Sequence, residues 1–168
     1  MSARAFLSLG GNLGDRRATI EGALAALDRG GATVVRRSAF YETAPWGKTD
    51  QPDFLNIVVE VRTDLLPHDL LALCRRVEQA FGRTRAERWG PRTLDVDILL
   101  YDAAVLAGPE LILPHPHLTE RRFVLEPLLE LEPHAALPDG RPLRPFLQAV
   151  SGQVVRRLPD GEGARGPR

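Results

Sequence analysis

Two apolar periodicities alternate along the first hundred residues, and their order restricts the chain to very few folds. Ala5 to Leu9 is a short apolar run closed by Gly10-Gly11, the pattern of a buried strand. After a lead-in from Asn12 to Arg17, Ile20, Ala23, Leu24 and Leu27 recur at helical spacing until Gly30-Gly31. Thr33 to Tyr41, rich in β-branched and aromatic residues, reads as a second strand, and Phe54 to Arg62 as a third beyond a loop holding Pro45 and Pro52. Pro67 suits a first helical turn, and Leu70, Leu71, Leu73, Cys74, Val77 and Phe81 carry helical spacing up to Gly82. Thr93 to Tyr101 is a fourth strand. The order β-α-β-β-α-β predicts an α+β, ferredoxin-like core, with helices on one face of a mainly antiparallel sheet.

Beyond residue 101 the pattern loosens. Val105-Leu106 and Leu111-Ile112-Leu113 predict a small hairpin, Phe123 to Leu131 a short helix interrupted near its start by Pro127, and Pro142 to Val150 another. A single domain over residues 1–158 is expected. Residues 159–168 are expected to form a flexible tail, since Gly-Glu-Gly-Ala-Arg-Gly-Pro-Arg has no apolar area to bury.

A chain of 168 residues can bury a core without disulfides, and its single cysteine, Cys74, falls in an apolar stripe where a buried thiol is expected. The formal net charge is zero, so composition offers no argument for nucleic acid or membrane as a partner. There is no signal-peptide pattern and no apolar run of membrane-spanning length, which together predict a soluble, cytoplasmic protein. Of the 22 basic residues, Lys48 is the one lysine. Gly47-Lys48-Thr49 is therefore not a P-loop: Glu42 stands where that motif needs glycine, and Pro52 follows instead of a helix. Gly10-Gly11-Asn12-Leu13-Gly14 follows a strand and opens a helix but lacks the G-x-G-x-x-G spacing, which leaves a plain tight turn.

Chemistry concentrates between Arg83 and Asp97. Asp95 and Asp97, two apart on a strand, emerge on one face while Leu94, Val96 and Ile98 go to the other. Read alone, the pair fits either the solvated face of a half-buried strand or a Mg²⁺ site, since Mg²⁺ takes one or two carboxylates with phosphate oxygens. Adjacency shifts the balance. Arg83, Arg85, Arg88 and Arg92 are four planar phosphate-matching forks within ten residues, leading straight into the carboxylates. Arginines on one side and acids on the other are what a metal-polyphosphate would neutralise. Trp89 in this loop serves as an anchor or closes over a flat ligand, and Phe54 and Phe123 fit ordinary core. His115 stands between Pro114 and Pro116, a rigid setting for a directed donor; with only His117 beside it, no zinc ligand set is complete.

The assembled motifs resemble one family, the 6-hydroxymethyl-7,8-dihydropterin pyrophosphokinases of folate biosynthesis. The matching pieces are Leu9-Gly10-Gly11-Asn12-Leu13, Tyr41-Glu42-Thr43-Ala44-Pro45, Asp50-Gln51-Pro52-Asp53-Phe54-Leu55-Asn56, Arg88 through Asp97, Pro114-His115, Arg121, and Phe123-Val124-Leu125-Glu126-Pro127-Leu128. They span roughly residues 4 to 150 in the family's order. The resemblance implies a ferredoxin-like enzyme that moves the β,γ-pyrophosphoryl group of ATP to the pterin's hydroxymethyl oxygen, releasing AMP with the help of two Mg²⁺ ions.

By the same resemblance, Asp95 and Asp97 hold both metals and act catalytically with Arg83 and Arg92. Arg85, Arg88, Trp89, Ile98, Leu111, His115 and Arg121 belong to the ATP site, with Trp89 in a lid. The pterin lies between Phe54 and Phe123, rimmed by Asn56 and by Thr43, Ala44, Pro45, Trp46 and Gly47. The implied partners are these two small molecules, with no nucleic acid and no membrane, and the implied state is a monomer. Three departures bear on ligand contacts: Trp46 replaces a smaller aliphatic residue, Pro116 replaces an aromatic, and the stretch between Arg85 and Glu87 is a residue short.

Overall fold

The computed structural model describes residues 2–12, 14–44, 52–81 and 94–159. The core runs β1 (Ala3–Gly11), α1 (Arg16–Arg29), β2 (Ala32–Arg37), β3 (Tyr41–Thr43), β4 (Phe54–Thr63), α2 (Pro67–Ala80) and β5 (Asp95–Tyr101). After it come the two-residue strands β6 (Leu106–Ala107) and β7 (Ile112–Leu113), a 3-10 turn (Leu118–Glu120), α3 (Arg122–Leu131), α4 (Arg144–Ala149) and β8 (Val155–Arg157). The sheet order is β5-β1-β4, with β2 and β3 sharing the far edge of β4 and β8 outside β3; every pairing is antiparallel. This is the ferredoxin-like arrangement expected from the order of periodicities.

Both faces of the sheet are covered. Ala5, Leu7 and Leu9 of β1 point to one face with Ile57, Val59 and Val61 of β4, where α1 supplies Ile20, Ala23, Leu24 and Leu27 and α2 supplies Leu70, Leu73, Cys74 and Val77. Phe6, Val58, Leu99 and Leu100 face the other way and pack beneath α3 through Val124, Leu125, Leu128 and Leu129, with Leu143 at the start of α4. The expectation of helices on one face therefore holds for α1 and α2, and the C-terminal helices add a third layer. An ion-pair network stitches this second face: Glu60, 4% exposed, accepts from Arg4 Nε at 3.1 Å and from Arg36 Nε at 2.7 Å, while Arg36 also caps the Leu131 carbonyl at 2.6 Å.

Local chemistry sets the boundaries. Asp15 caps α1 by accepting from the Ala18 N–H at 3.0 Å, and Gly31, at φ 109°, makes the turn into β2 in a region closed to side-chain-bearing residues. The sequence pattern joins residues 33–41 into one strand, but two strands form. Ser38 interrupts them: its hydroxyl accepts the Val58 N–H at 3.0 Å and donates to the Ala39 carbonyl, and the Ala39 N–H turns away to Glu130 Oε2 at 3.0 Å.

Pro127 does not interrupt α3; it sits inside a continuous helix. It forgoes one i→i−4 bond, and burial of Val124, Leu125, Leu128, Leu129 and Leu131 offsets that loss. Pro142 falls before the last helix because it bridges Ala136, so α4 starts at Arg144. The hairpin forms as expected, Leu106 opposite Leu113. Strand β8 has no sequence forecast behind it. No helix among the described residues is long and apolar enough to cross a membrane. The expected tail lies outside the described residues from position 160 onward.

Candidate functional site

Asp95 and Asp97 leave β5 on the sheet face opposite α1 and α2. Leu94, Val96 and Ile98 are buried under those helices, and alternation sends both half-buried aspartates to the other side. Strand register fixes what lies beside them. Asp95 pairs with Gly10 and Gly10 with Asn56; Asp97 pairs with Ser8 and Ser8 with Val58. Two interstrand spacings place Asp95 and Asn56 roughly 10 Å apart, with Gly10 between them.

Asn56 continues that row onto β3, where Tyr41 lies opposite it and Thr43 opposite Phe54. Its side chain is 6% exposed and oriented by two donations from Nδ2, to Thr43 Oγ1 at 3.1 Å and to the Tyr41 carbonyl at 3.4 Å. Thr43 is buried and Phe54 half-buried, while Ala44 is exposed. Behind Asn56, the Tyr41 hydroxyl donates to Glu130 Oε1 at 2.7 Å, and burial raises its pKa, so it stays a neutral phenol. The segment leading into Phe54 is tied to the β1–α1 connection: Asn12 Nδ2 donates to the Pro52 carbonyl at 2.9 Å.

The backbone between the aspartates is held from α2. Val96 lies on the outer edge of the sheet, where its N–H has no neighbouring strand to meet. Glu78, 1% exposed, accepts that N–H at 2.8 Å, and Arg75 donates to Glu78 at 3.0 Å and to the Val96 carbonyl at 3.4 Å. Sequence reasoning missed both residues. The signal was present, because Glu78 stands four positions after Cys74 on the buried stripe of α2, where an acid needs a partner.

His115 approaches the same end of β5. Its N–H donates to the Leu99 carbonyl at 3.0 Å, and its Nδ1 accepts the His117 N–H at 3.0 Å. An accepting Nδ1 puts the ring proton on Nε2, making His115 a directed donor. Burial lowers its pKa and Asp97 opposes that, while Arg121 and His117 lower it further; the outcome lies below the ordinary histidine value. The His115 ring therefore senses both Asp97 and Arg121 electrostatically. Arg121 precedes α3 and stacks its guanidinium over Phe123, 5.7 Å from the ring centroid. Phe123 packs partly against the core beneath α3.

Asp97, His115 and Arg121 are thus brought to one part of the sheet face, with Asp95 two residues along the same strand, while Phe54 and Asn56 lie two strands across and Thr43 three. Ile98 and Leu111 go elsewhere: both side chains are buried in the core beneath α1 and α2, at 3% and 7% exposure. Arg83, Arg85, Arg88, Trp89, Arg92, Pro45, Trp46 and Gly47 lie outside the described residues. Among the described residues no group of three or more His, Cys, Asp or Glu side chains gathers into a metal cage. Two half-buried carboxylates on one strand face suit an ion that completes its shell with phosphate oxygens and water, which is the habit of Mg²⁺.

The model of the family 7,8-dihydro-6-hydroxymethylpterin-pyrophosphokinase (HPPK) matches residues 6–133. The 2-amino-4-hydroxy-6-hydroxymethyldihydropteridine pyrophosphokinase of Methylorubrum extorquens is 44% identical over 156 residues, covering 92% of this chain and 98% of its own length. The enzyme of the same name from Bacillus subtilis is 47% identical over 132 residues, covering 78% and 79%. In fold, the chain is similar to a Plasmodium falciparum HPPK-DHPS triple mutant solved with pteroate. The TM-score is 0.72 at 15% identity, over 89% of this chain and 41% of that one.

Proposed function

Since the chain belongs to the 7,8-dihydro-6-hydroxymethylpterin-pyrophosphokinase family, we propose that the sheet face from β5 to β3 that carries Asp95, Asp97 and Asn56 is where it binds ATP and the pterin. The protein is a transferase of folate biosynthesis: it moves pyrophosphate from ATP to 6-hydroxymethyl-7,8-dihydropterin, leaving AMP. The hydroxymethyl oxygen bonds to the β-phosphorus, the bond from that phosphorus to the α,β-bridging oxygen breaks, and the hydroxyl proton departs.

The observation that carries the assignment is the register Asp95–Gly10–Asn56. It sets a carboxylate pair and an oriented amide on one face, with only small side chains between them. Asp95 and Asp97 are assigned to two Mg²⁺ ions, which when bound neutralise polyphosphate charge and polarise the reacting oxygens. Asn56, with Thr43, Ala44, Pro45, Trp46 and Gly47, pairs with the hydrogen-bonding edge of the pterin, whose flat faces take Phe54 and Phe123. His115, as an Nε2–H donor, and Arg121 bind phosphate oxygens beside Asp97. Arg83, Arg85, Arg88 and Arg92 supply further guanidinium forks, and Trp89 covers the nucleotide. Ile98 and Leu111, with buried side chains, contribute main-chain groups. We assign the enzyme to the cytoplasm as a monomer acting on small molecules, a state that sedimentation at micromolar concentration checks.

A product assay tests the proposal. AMP should form from ATP only when the hydroxymethyl pterin and Mg²⁺ are both present, and Asp95→Ala should abolish it with the fold intact. Formation of ADP, or AMP production that ignores the pterin, would overturn it.

A further inference from the structure

Glu42 sits immediately before Thr43 on β3, but strand alternation turns its side chain to the opposite face from Thr43 and Asn56. There it is 13% exposed, and both carboxylate oxygens are engaged. Oε2 accepts from Arg16 Nη2 at 2.8 Å, and Oε1 accepts from Arg156 Nη2 on β8, the residue paired with Glu42 across the strand edge. Arg16 uses its second nitrogen elsewhere: Nη1 donates to the Asp53 carbonyl at 3.0 Å. One guanidinium at the start of α1 therefore grips residues on both sides of positions 45–51, Glu42 before them and Asp53 after them. Thr43, which orients Asn56, follows the first grip directly, and Phe54 follows the second.

We propose that Arg16 and Glu42 are positioning residues for pterin recognition, fixing the relative placement of Thr43, Phe54 and Asn56 from behind the sheet. The inference rests on the assignment of those three residues to the pterin. Neither Arg16 nor Glu42 faces the ligand side, so their effect reaches substrate only through the strands they join. The planar fork of arginine spans a carboxylate and a carbonyl at once, which a lysine ammonium on a flexible stem does not reproduce. Strand β3 is three residues long, so it has few ladder bonds of its own to hold this register. Glu42 is separated from Asp95 and Asp97 by β1 and β4, and the guanidinium of Arg16 is turned toward Glu42 and the Asp53 carbonyl. Loss of the grip should therefore weaken pterin binding and spare the nucleotide.

The test uses the full chain as Arg16→Met, Arg16→Lys, Glu42→Gln and the Arg16→Met/Glu42→Gln double variant, with Asn56→Ala as reference. Binding of the hydroxymethyl pterin and of a non-hydrolysable ATP analogue is measured separately by calorimetry, and turnover at saturating pterin is followed by AMP release. The expected result is a pterin KM and Kd about ten-fold higher in each single variant. Arg16→Lys should fail to rescue, and the double variant should be no worse than the poorer single. The ATP-analogue Kd should stay within two-fold and kcat within three-fold.

If Asn56→Ala weakens the pterin while Arg16→Met and Glu42→Gln leave it unchanged, the positioning role is overturned and the rim assignment stands. If Asn56→Ala itself leaves pterin binding unchanged, the rim assignment fails and this inference with it. Parallel loss of both ligands, tracking a fall in Tm, would reduce the pair to a stability element and overturn the proposal. Should Arg16→Met not fold, Glu42→Gln, which keeps the side chain's shape, decides by the same readings.

Discussion

Gly10 and Asn56 face each other across β1 and β4 with no spare room: a β-carbon on Gly10 would stand 2.7 Å from Asn56 Oδ1 and 3.3 Å from the Leu55 carbonyl oxygen. The first partner is the end of a side chain and can move; the second is backbone and cannot move freely. Gly10→Ala should therefore fold, but with the Asn56 amide pushed off its bonds to Thr43 and Tyr41. A site built to pair a ligand's polar edge loses discrimination when its own donors are displaced. We expect pterin affinity to fall at least ten-fold, with ATP-analogue affinity little changed. Calorimetry on the two ligands separately checks this, and unchanged pterin binding would show that Asn56 does not read the ring.

Asp95 and Asp97 should fail differently from Asn56. Each is half-buried, so Asp95→Asn or Asp97→Asn keeps shape and burial while removing a hard anionic donor. Several kcal/mol of charge stabilisation are at stake at such sites, or roughly a thousand-fold in rate. The expected outcome is turnover lowered by about that factor, a higher Mg²⁺ requirement and a Tm close to that of the parent. Single-turnover AMP release across a Mg²⁺ titration measures it. Parental activity in either variant would remove that carboxylate from the metal assignment.

Glu78 offers a prediction that the aspartates' own chemistry would not suggest. Its carboxylate takes the Val96 N–H on the sheet's outer edge, between the two aspartates. Glu78→Ala strands that buried donor, at a cost of about 1–3 kcal/mol. In a domain of this size each kcal/mol corresponds to about 2–4 °C in Tm. Glu78→Gln keeps an acceptor oxygen and should lose less. Thermal unfolding gives the stability order, parent above Gln above Ala. Turnover at 25 °C, where all three are folded, should follow the same order because the backbone carrying Asp95 and Asp97 loosens.

These residues also mark how far the sequence is legible. The ferredoxin-like order could be read because its helices and long strands carry their own periodicity: Ile20, Ala23, Leu24 and Leu27 in α1, or Val59 and Val61 in β4. The aspartate face followed from strand alternation alone. What escaped was specified by partners distant in sequence. Val155, Arg156 and Arg157 have no apolar pattern and become β8 only because β3 presents an edge. Ser38 breaks a run of strand-forming residues because its hydroxyl reaches Val58, twenty positions on. Arg16 reads as one more surface arginine until folding brings Glu42 and Asp53 to its two nitrogens.

Cys74 gives a prediction independent of any ligand. It is fully buried on α2, and burial pushes its pKa up to about 12. The thiolate is the reactive form, so a native-state thiol reagent at pH 8 should modify Cys74 only as fast as α2 opens, and at once after denaturation. The pH dependence has a definite sign. A folded-state pKa raised above the unfolded value of about 9 favours the protonated, folded form, so the contribution is complete well below pH 9 and is lost progressively as pH rises through 9 toward 12. Between pH 8 and pH 10 the parent should lose about 1 kcal/mol relative to Cys74→Ala, whose stability lacks this titration. Urea unfolding of both proteins at the two pH values measures the difference. Equal losses in parent and variant, or rapid native-state labelling, would show that the Cys74 thiol is not held protonated by burial in the core between α2 and the sheet.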